Sequence, residues 1–365
     1  MSITGDTGDA DAMRNAGDIR IDAALLGTTE APGGVGVIAG GRLTVRTDGR
    51  LEVHDREAFL AGERAPVAAL DLPPAARATA APDGGFVVAE ASRVRAVAAD
   101  GTLRWELPHD TWHGGHRPPR APGAPAVSPC GRLVAAAVPT LLPEEDTDRA
   151  VLVYDETPRR GYAQDRLLLL DAATGDVRAQ RPVAAVSGAI VLDWREDGAV
   201  LGASFWTAWY SWASYWLDPA DEGLRALGGT GFHDVAGFVP GSTRLVTMRR
   251  AQYMSLDDDR YELALHDVLD AARTVTLDLN ELSWDEENDD FEDAYVLDAT
   301  HVLVTADWVP RQGALEPTHW LFDAGTLRPL GRLRYPRPVS QEVTALGDGT
   351  WLTRDGDVLH HWGLG

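Results

Sequence analysis

The chain has 365 residues, 44% of them apolar, which is enough for a true hydrophobic core and unlike a disordered polymer. Its formal net charge of -23 repels phosphate backbones, so nucleic acid is not expected as a partner, whereas basic proteins, cationic ligands and metal ions are favoured. All 33 basic side chains are arginine, the usage of a high-GC bacterial genome.

Residues 1–18 read as a disordered tail with neither a basic start nor an apolar run, so no signal peptide is expected. No stretch approaches the ~18 apolar residues of a membrane span. A cytoplasmic protein with no membrane partner is the simplest expectation. A single cysteine, Cys130, rules out an internal disulfide framework and a cysteine-based zinc site.

From residue 19 the chain reads as one domain. The segment IRIDAALL (19–26) is a strand candidate with no neighbouring partner. A hairpin unit then recurs, with apolar β-branched flanks around a Gly-containing turn. It appears as VGVIAGGRLTV (35–45), ATAAPDGGFVVA (78–89), PAVSPCGRLVAAA (125–137) and VLDWREDGAVLGA (191–203). Weaker copies follow at 235–248, 294–306 and 342–353. Six of these hairpins are followed by a second pair of strand candidates with an Asp at the turn, as in LLLLDAATGDVRAQ. The seventh second pair is missing at the C-terminus. One strand spare at the start and a pair short at the end predict an all-β, seven-bladed propeller of four-stranded antiparallel blades. The N-terminal strand then joins the C-terminal blade and closes the ring. Six blades is the alternative if 294–306 is not a hairpin.

The segments SPCGRLVAA (128–136), APDGGFVVA (81–89), DGTLRWE (100–106) and LLDAATGDV (169–177) resemble the broad WD40-like and quinoprotein-like group of β-propellers. The likeness spans nearly the whole chain at the level of architecture. That group's Gly-His and Trp-Asp signatures are absent, so no functional residue is carried over from it.

With the strands of each blade lettered A to D outward from the axis, the A–B turns are uniformly tight. The extra length gathers in B–C and D–A connections, which share one face. These are the stretches 109–123, 139–165, 206–214, 250–260, 280–292 and 307–317. The segment FWTAWYSWASYW (205–216) carries seven aromatic rings, four of them tryptophan. Phe205, Tyr215 and Trp216 are expected in or beside strands, and Trp206, Trp209, Tyr210 and Trp212 in a loop. Large rings with a polar edge favour interfaces, so these four, with Trp112, Tyr253 and Trp308, are the candidate binding residues. The bland alternative is a loop folded inward as packing.

His113 and His116, in HDTWHGGH (109–116), are the candidate metal ligands or catalytic bases, with Asp110, Asp257 or Asp307 to orient them or complete a shell. The spacing matches no recognised metal motif, so no cofactor is expected, and a divalent metal enters only with the enzyme reading. The acidic runs at 144–148, 257–259 and 285–290 lack the spacing of a calcium loop. Asp100, Asp171, Asp218 and Asp323 are expected to cap turns. Adjacent on one strand, His360 and His361 must point to opposite faces. The leading reading is a non-catalytic binding module whose partner is a protein with a basic patch, or a cationic or apolar small molecule. The alternative is a lyase, isomerase or hydrolase working on the same face.

Overall fold

The computed structural model describes residues 19–38, 41–73, 75–109, 123–141, 162–183, 190–208, 211–220, 223–250, 261–270, 273–282, 289–308 and 316–365. They form antiparallel four-stranded sheets in chain order, each strand hydrogen-bonded to the next. Sheet one comprises Gly34–Ile38, Arg42–Thr47, Arg50–Asp55 and Ala68–Asp71. Sheet two comprises Arg77–Ala80, Phe86–Ala89, Arg93–Val97 and Leu103–Pro108. Sheet three comprises Ala124–Val127, Leu133–Leu141, Tyr162–Asp171 and Val177–Val183. Sheet four comprises Ile190–Trp194, Leu201–Ala208, Ser211–Leu217 and Ala226–Gly231. Sheet five comprises His233–Phe238, Arg244–Arg249, Glu262–Asp267 and Thr274–Asp278.

The sixth sheet has eight strands and is two quartets joined edge to edge. Its first quartet is Asp289–Val296, His301–Trp308, Glu316–Asp323 and Pro329–Arg334. The second is Val343–Ala345, Trp351–Asp355, Val358–Leu364 and the N-terminal strand Arg20–Glu30. That strand runs antiparallel to Val358–Leu364 through seven residue pairs. It also meets Pro329–Arg334 in a three-residue parallel pairing. All seven expected hairpins are formed, including the weak one at 294–306.

Packing divides the chain into two compact units, Gly33–Phe59 with Glu63–Val235, and Met1–Pro32 with Leu60–Gly62 and Ala236–Gly365. Each is built by burying both faces of its central strands. In the first, Ala135, Ala137, Leu167 and Leu169 pack against Leu201, Ala203 and Phe205. Val134, Ala136, Leu168 and Leu170, pointing the other way, pack against Val87, Ala89 and Val94. In the second, Val302, Val304, Trp320 and Phe322 share a core with Val246 and Leu265, while Leu303 and Leu321 pack with Trp351 and Trp362. A strand wet on one face alternates apolar with polar; a strand covered on both reads as an unbroken apolar run, as LVAAAV and LLLL do.

The turns close through side-chain caps. Asp83, Asp197, Asp298 and Asp348 each accept from the amide two residues on, at 2.6–3.0 Å. Asp100, Asp171, Asp218 and Asp323 do the same at 2.9–3.1 Å, as expected. Short carboxylates complete such turns because they reach their own chain's free N–H groups. Tryptophans tie neighbouring sheets: Trp105 Nε1 donates to the Ala172 carbonyl (2.9 Å) and Trp194 Nε1 to that of Ala126 (3.3 Å). Gly175, at φ +77°, lies under the Trp105 ring, where a Cβ would come within 2.7 Å of it. The C–D connection of sheet one is not a tight turn; it carries a short helix, Arg56–Leu60, whose Phe59 is buried beside His54. Among the described residues, no helix is long and apolar enough to cross a membrane.

Candidate functional site

The aromatic stretch lies mostly in strands, which corrects the loop expected over 206–214. Strands Leu201–Ala208 and Ser211–Leu217 pair through to Ala208 opposite Ser211. Aromatic and hydroxyl side chains favour extended backbone as strongly as the core residues before them, so the hairpin zips past Phe205 instead of opening. Phe205 and Trp216 are buried, as expected. Trp206 and Trp212 are direct cross-strand partners and both are half-buried.

Strand alternation decides which way these rings face. Leu201, Ala203 and Phe205 point into the core shared with sheet three. Gly202, Ser204 and Trp206 therefore face the opposite side, together with their partners Trp216, Ser214 and Trp212. Trp216 is accommodated by Gly228, where a Cβ would lie 2.3 Å from the indole nitrogen. Beyond it, the Trp212 carbonyl accepts from the amide of Phe232 at 2.6 Å. Phe232 has a positive φ of 67° and is 45% exposed, an unusual state for a large side chain. On the other face, Arg181 stands 5.6 Å over the Tyr215 ring. Ala213, Tyr215 and the glycine-rich edge strand Ala226–Gly231 line an open groove of about 400 Å³.

In the second unit the geometry brings out residues that the sequence reading missed. Arg250, at the head of the stretch 250–260, hydrogen-bonds the carboxylate of Asp293. The Asp293 amide donates to Thr305 Oγ1 (3.1 Å), and the Tyr295 hydroxyl also bonds its carboxylate. Desolvation holds the Asp293 carboxyl above the ordinary carboxylate range, against the pull of Arg250 and Tyr295. Its side chain is nevertheless 43% exposed and so open to solvent. A carboxylate perturbed in this way can hold a cation or a basic side chain and can exchange a proton. No spacing pointed to it because a register shift between Phe291 and Asp293 breaks the alternation of the strand.

The remaining expected residues fall as follows. Asp307 is in strand His301–Trp308, opposite Asp290 and Pro317, and Trp308 ends that strand opposite Asp289 and Glu316, so neither lies in the loop expected at 307–317. The strands of sheet three likewise run on to Leu141 and resume at Tyr162, shortening the connection expected at 139–165. The expected connection at 280–292 holds a 3-10 turn, Leu279–Leu282, and the start of strand Asp289–Val296. Asp110, Trp112, His113, His116, Trp209, Tyr210, Tyr253 and Asp257 lie outside the described residues, as does the tail 1–18. Among the described residues no group of three or more His, Cys, Asp or Glu side chains is placed to hold a metal ion. His360 is buried and accepts from Arg337 Nη1 (3.2 Å), while its neighbour His361 is on the opposite face.

No protein-family description matches the sequence, and no curated protein matches it. Solved structures do. A chain of the mitotic checkpoint complex aligns over 93% of this chain and 94% of its own, with a TM-score of 0.56 at 10% identity. A chain from the crystal structure of BBS1N in complex with ARL6DN aligns over 95% and 98%, with a TM-score of 0.49 at 9% identity. At such identity the likeness speaks for the fold alone. Together with the four-stranded antiparallel sheets, it gives this chain a propeller-type fold of the WD40-like kind.

Proposed function

We propose that the protein is a single-domain, cytoplasmic, seven-bladed propeller, its ring closed by the N-terminal strand, that works as a non-catalytic binding module. The observation that carries this reading is the Trp206–Trp212 pair. Two large rings stand opposite each other at the outer end of a hairpin and stay half-buried where a core role would bury them fully. In this reading Trp112, Trp209, Tyr210, Tyr253 and Trp308 are further binding residues. The partner is a protein with a basic patch, or a cationic or apolar small molecule, matched to the chain's negative charge. The origin of the mitotic checkpoint neighbour in a protein complex supports a protein partner.

The test is capture of partners by the intact chain, by Trp206→Ala/Trp212→Ala and by His113→Ala/His116→Ala. A binding module loses at least about tenfold in affinity with the tryptophan pair and keeps it with the histidine pair, because buried aromatics dominate interface energies. The enzyme reading draws support from the raised carboxyl of Asp293, a property shared by catalytic acids. It gains the lead if protein purified without chelator holds stoichiometric metal that vanishes in His113→Ala/His116→Ala.

A further inference from the structure

In sheets one and two several arginines have acidic partners. Arg50 bonds Glu52 and Asp71 at 2.9 and 2.8 Å, and Arg93 and Arg95 share Glu90 at 2.7 Å each. Arg46 and Arg77 differ. Arg46, near the end of strand Arg42–Thr47, donates through Nη2 to the carbonyl of Ala76. That carbonyl is presented by a turn in which Ala75 has φ +62° and the Ala76 amide bonds the Pro73 carbonyl at 3.1 Å. The bond pins the Arg46 guanidinium beside the next residue, Arg77, which opens the first strand of sheet two. Among the described residues neither guanidinium has a carboxylate partner, and the side chain of Arg77 makes no hydrogen bond, though the residue is half-buried. Burial, then the charge of Arg46, disfavour the Arg77 cation, and no acidic group offsets them.

A half-buried cation beside an exposed one of the same sign is a net cost to the fold. The chain has 56 acidic residues, yet among the described residues none pairs with either guanidinium. The groups do suit a ligand. Arg77 keeps its planar fork of N–H donors free and Arg46 is held in place with most of its own, the arrangement that recognises carboxylate or phosphate through paired bonds. We propose that Arg46 and Arg77 form an oxyanion-binding site, taking a phosphoryl or carboxylate group between the two guanidinium planes. The long-range field of the acidic surface opposes such a ligand but is screened within about 8 Å at physiological salt, so the adjacent pair dominates.

The experiment is thermal unfolding of the full chain at one ionic strength in chloride, in acetate and in inorganic phosphate, for wild type, Arg77→Gln and Arg46→Gln. The expected result is a midpoint at least about 2 °C higher in phosphate or acetate than in chloride for wild type, absent from both variants. The anion that acts identifies the group as phosphoryl or carboxylate. Arg77→Gln in chloride should unfold within about a degree of wild type or above it, since it removes an uncompensated charge. No increment in wild type, an undiminished increment in Arg77→Gln, or a drop of several degrees for that variant in chloride would each overturn the assignment.

Discussion

Ser204 and Ser214 stand opposite each other in sheet four, fully buried, with their hydroxyl oxygens 2.7 Å apart. The direction of the hydrogen bonds follows from the ends of the chain. The Val235 amide donates to Ser204 Oγ (2.7 Å), and the Ser214 hydroxyl donates to the His233 carbonyl (2.5 Å), so the Ser204 hydroxyl donates to Ser214. Each serine thus satisfies one backbone group of strand His233–Phe238. Ser204→Ala or Ser214→Ala leaves one such group unpaired and should cost about 2 kcal/mol. The double variant should cost about 3 kcal/mol rather than 4, because the bond between the hydroxyls is lost only once. Denaturant unfolding of the four proteins measures this coupling; strict additivity would mean that the serines act independently.

Asp197 tests the turn caps. Its carboxylate is held down to about 2, from an ordinary 3.8, chiefly by Arg195, whose Nε and Nη2 donate at 2.9 and 2.6 Å, and also by the Ala199 amide. A depressed carboxyl contributes stability that is complete above 3.8 and lost as pH falls through about 2. Asp197→Asn should therefore be less stable than wild type at pH 7, the difference narrowing below pH 3.8 and closing near pH 2. A gap independent of pH would place the effect in geometry alone.

The repeat and the buried strands were legible because they rest on local signals. Ser128-Pro129-Cys130-Gly131 marks a turn by composition, and Leu167–Leu170 can only be a strand covered on both faces. Even the pairing of Arg20–Glu30 with Val358–Leu364 followed, by elimination, from one strand too many and one too few. The site was less legible because its elements depend on register and long-range placement. Nothing local separates Trp206 and Trp212 in a strand from the same residues in a loop; only the pairing across the hairpin does. Arg250 reaches Asp293, and Arg46 reaches the Ala76 carbonyl, through sheet stacking, which no spacing encodes.

Asp293 makes a prediction opposite in sign to Asp197. Its carboxyl is raised, so the folded state resists ionisation, and stability falls as pH rises from 3.8 through the folded value. Asp293→Asn retains an acceptor for Arg250 and removes that penalty. It should be at least as stable as wild type at pH 7 and should lose this relative advantage below pH 3.8, as read by melting curves across that range. A variant clearly weaker at pH 7 would show that the Arg250 ion pair outweighs desolvation.

His319 carries a pH dependence that falls between neutral and acid pH. It is fully buried, with Nδ1 2.6 Å from the Tyr335 hydroxyl, which lies 3.1 Å from Trp351 Nε1. An indole nitrogen can only donate, so Trp351 donates to Tyr335, and the phenol donates in turn to a neutral Nδ1. Burial pushes the imidazole from 6.5 down to about 4, with the Ser340 backbone opposing, while burial of Tyr335 drives its phenol upward and keeps it protonated. A histidine depressed in the fold takes up its proton more readily when unfolded. Stability is therefore complete above 6.5 and declines as pH falls to about 4, by roughly 3 kcal/mol in total. His360, which burial and Arg337 also depress, adds a slope of the same sign, so the comparison must be between variants. His319→Gln keeps an acceptor for the phenol but cannot titrate. Its unfolding free energy should fall by roughly 3 kcal/mol less than that of wild type between pH 7.5 and pH 4. Parallel profiles would mean that the imidazole takes up its proton equally readily in the folded and the unfolded chain, so that burial does not depress it.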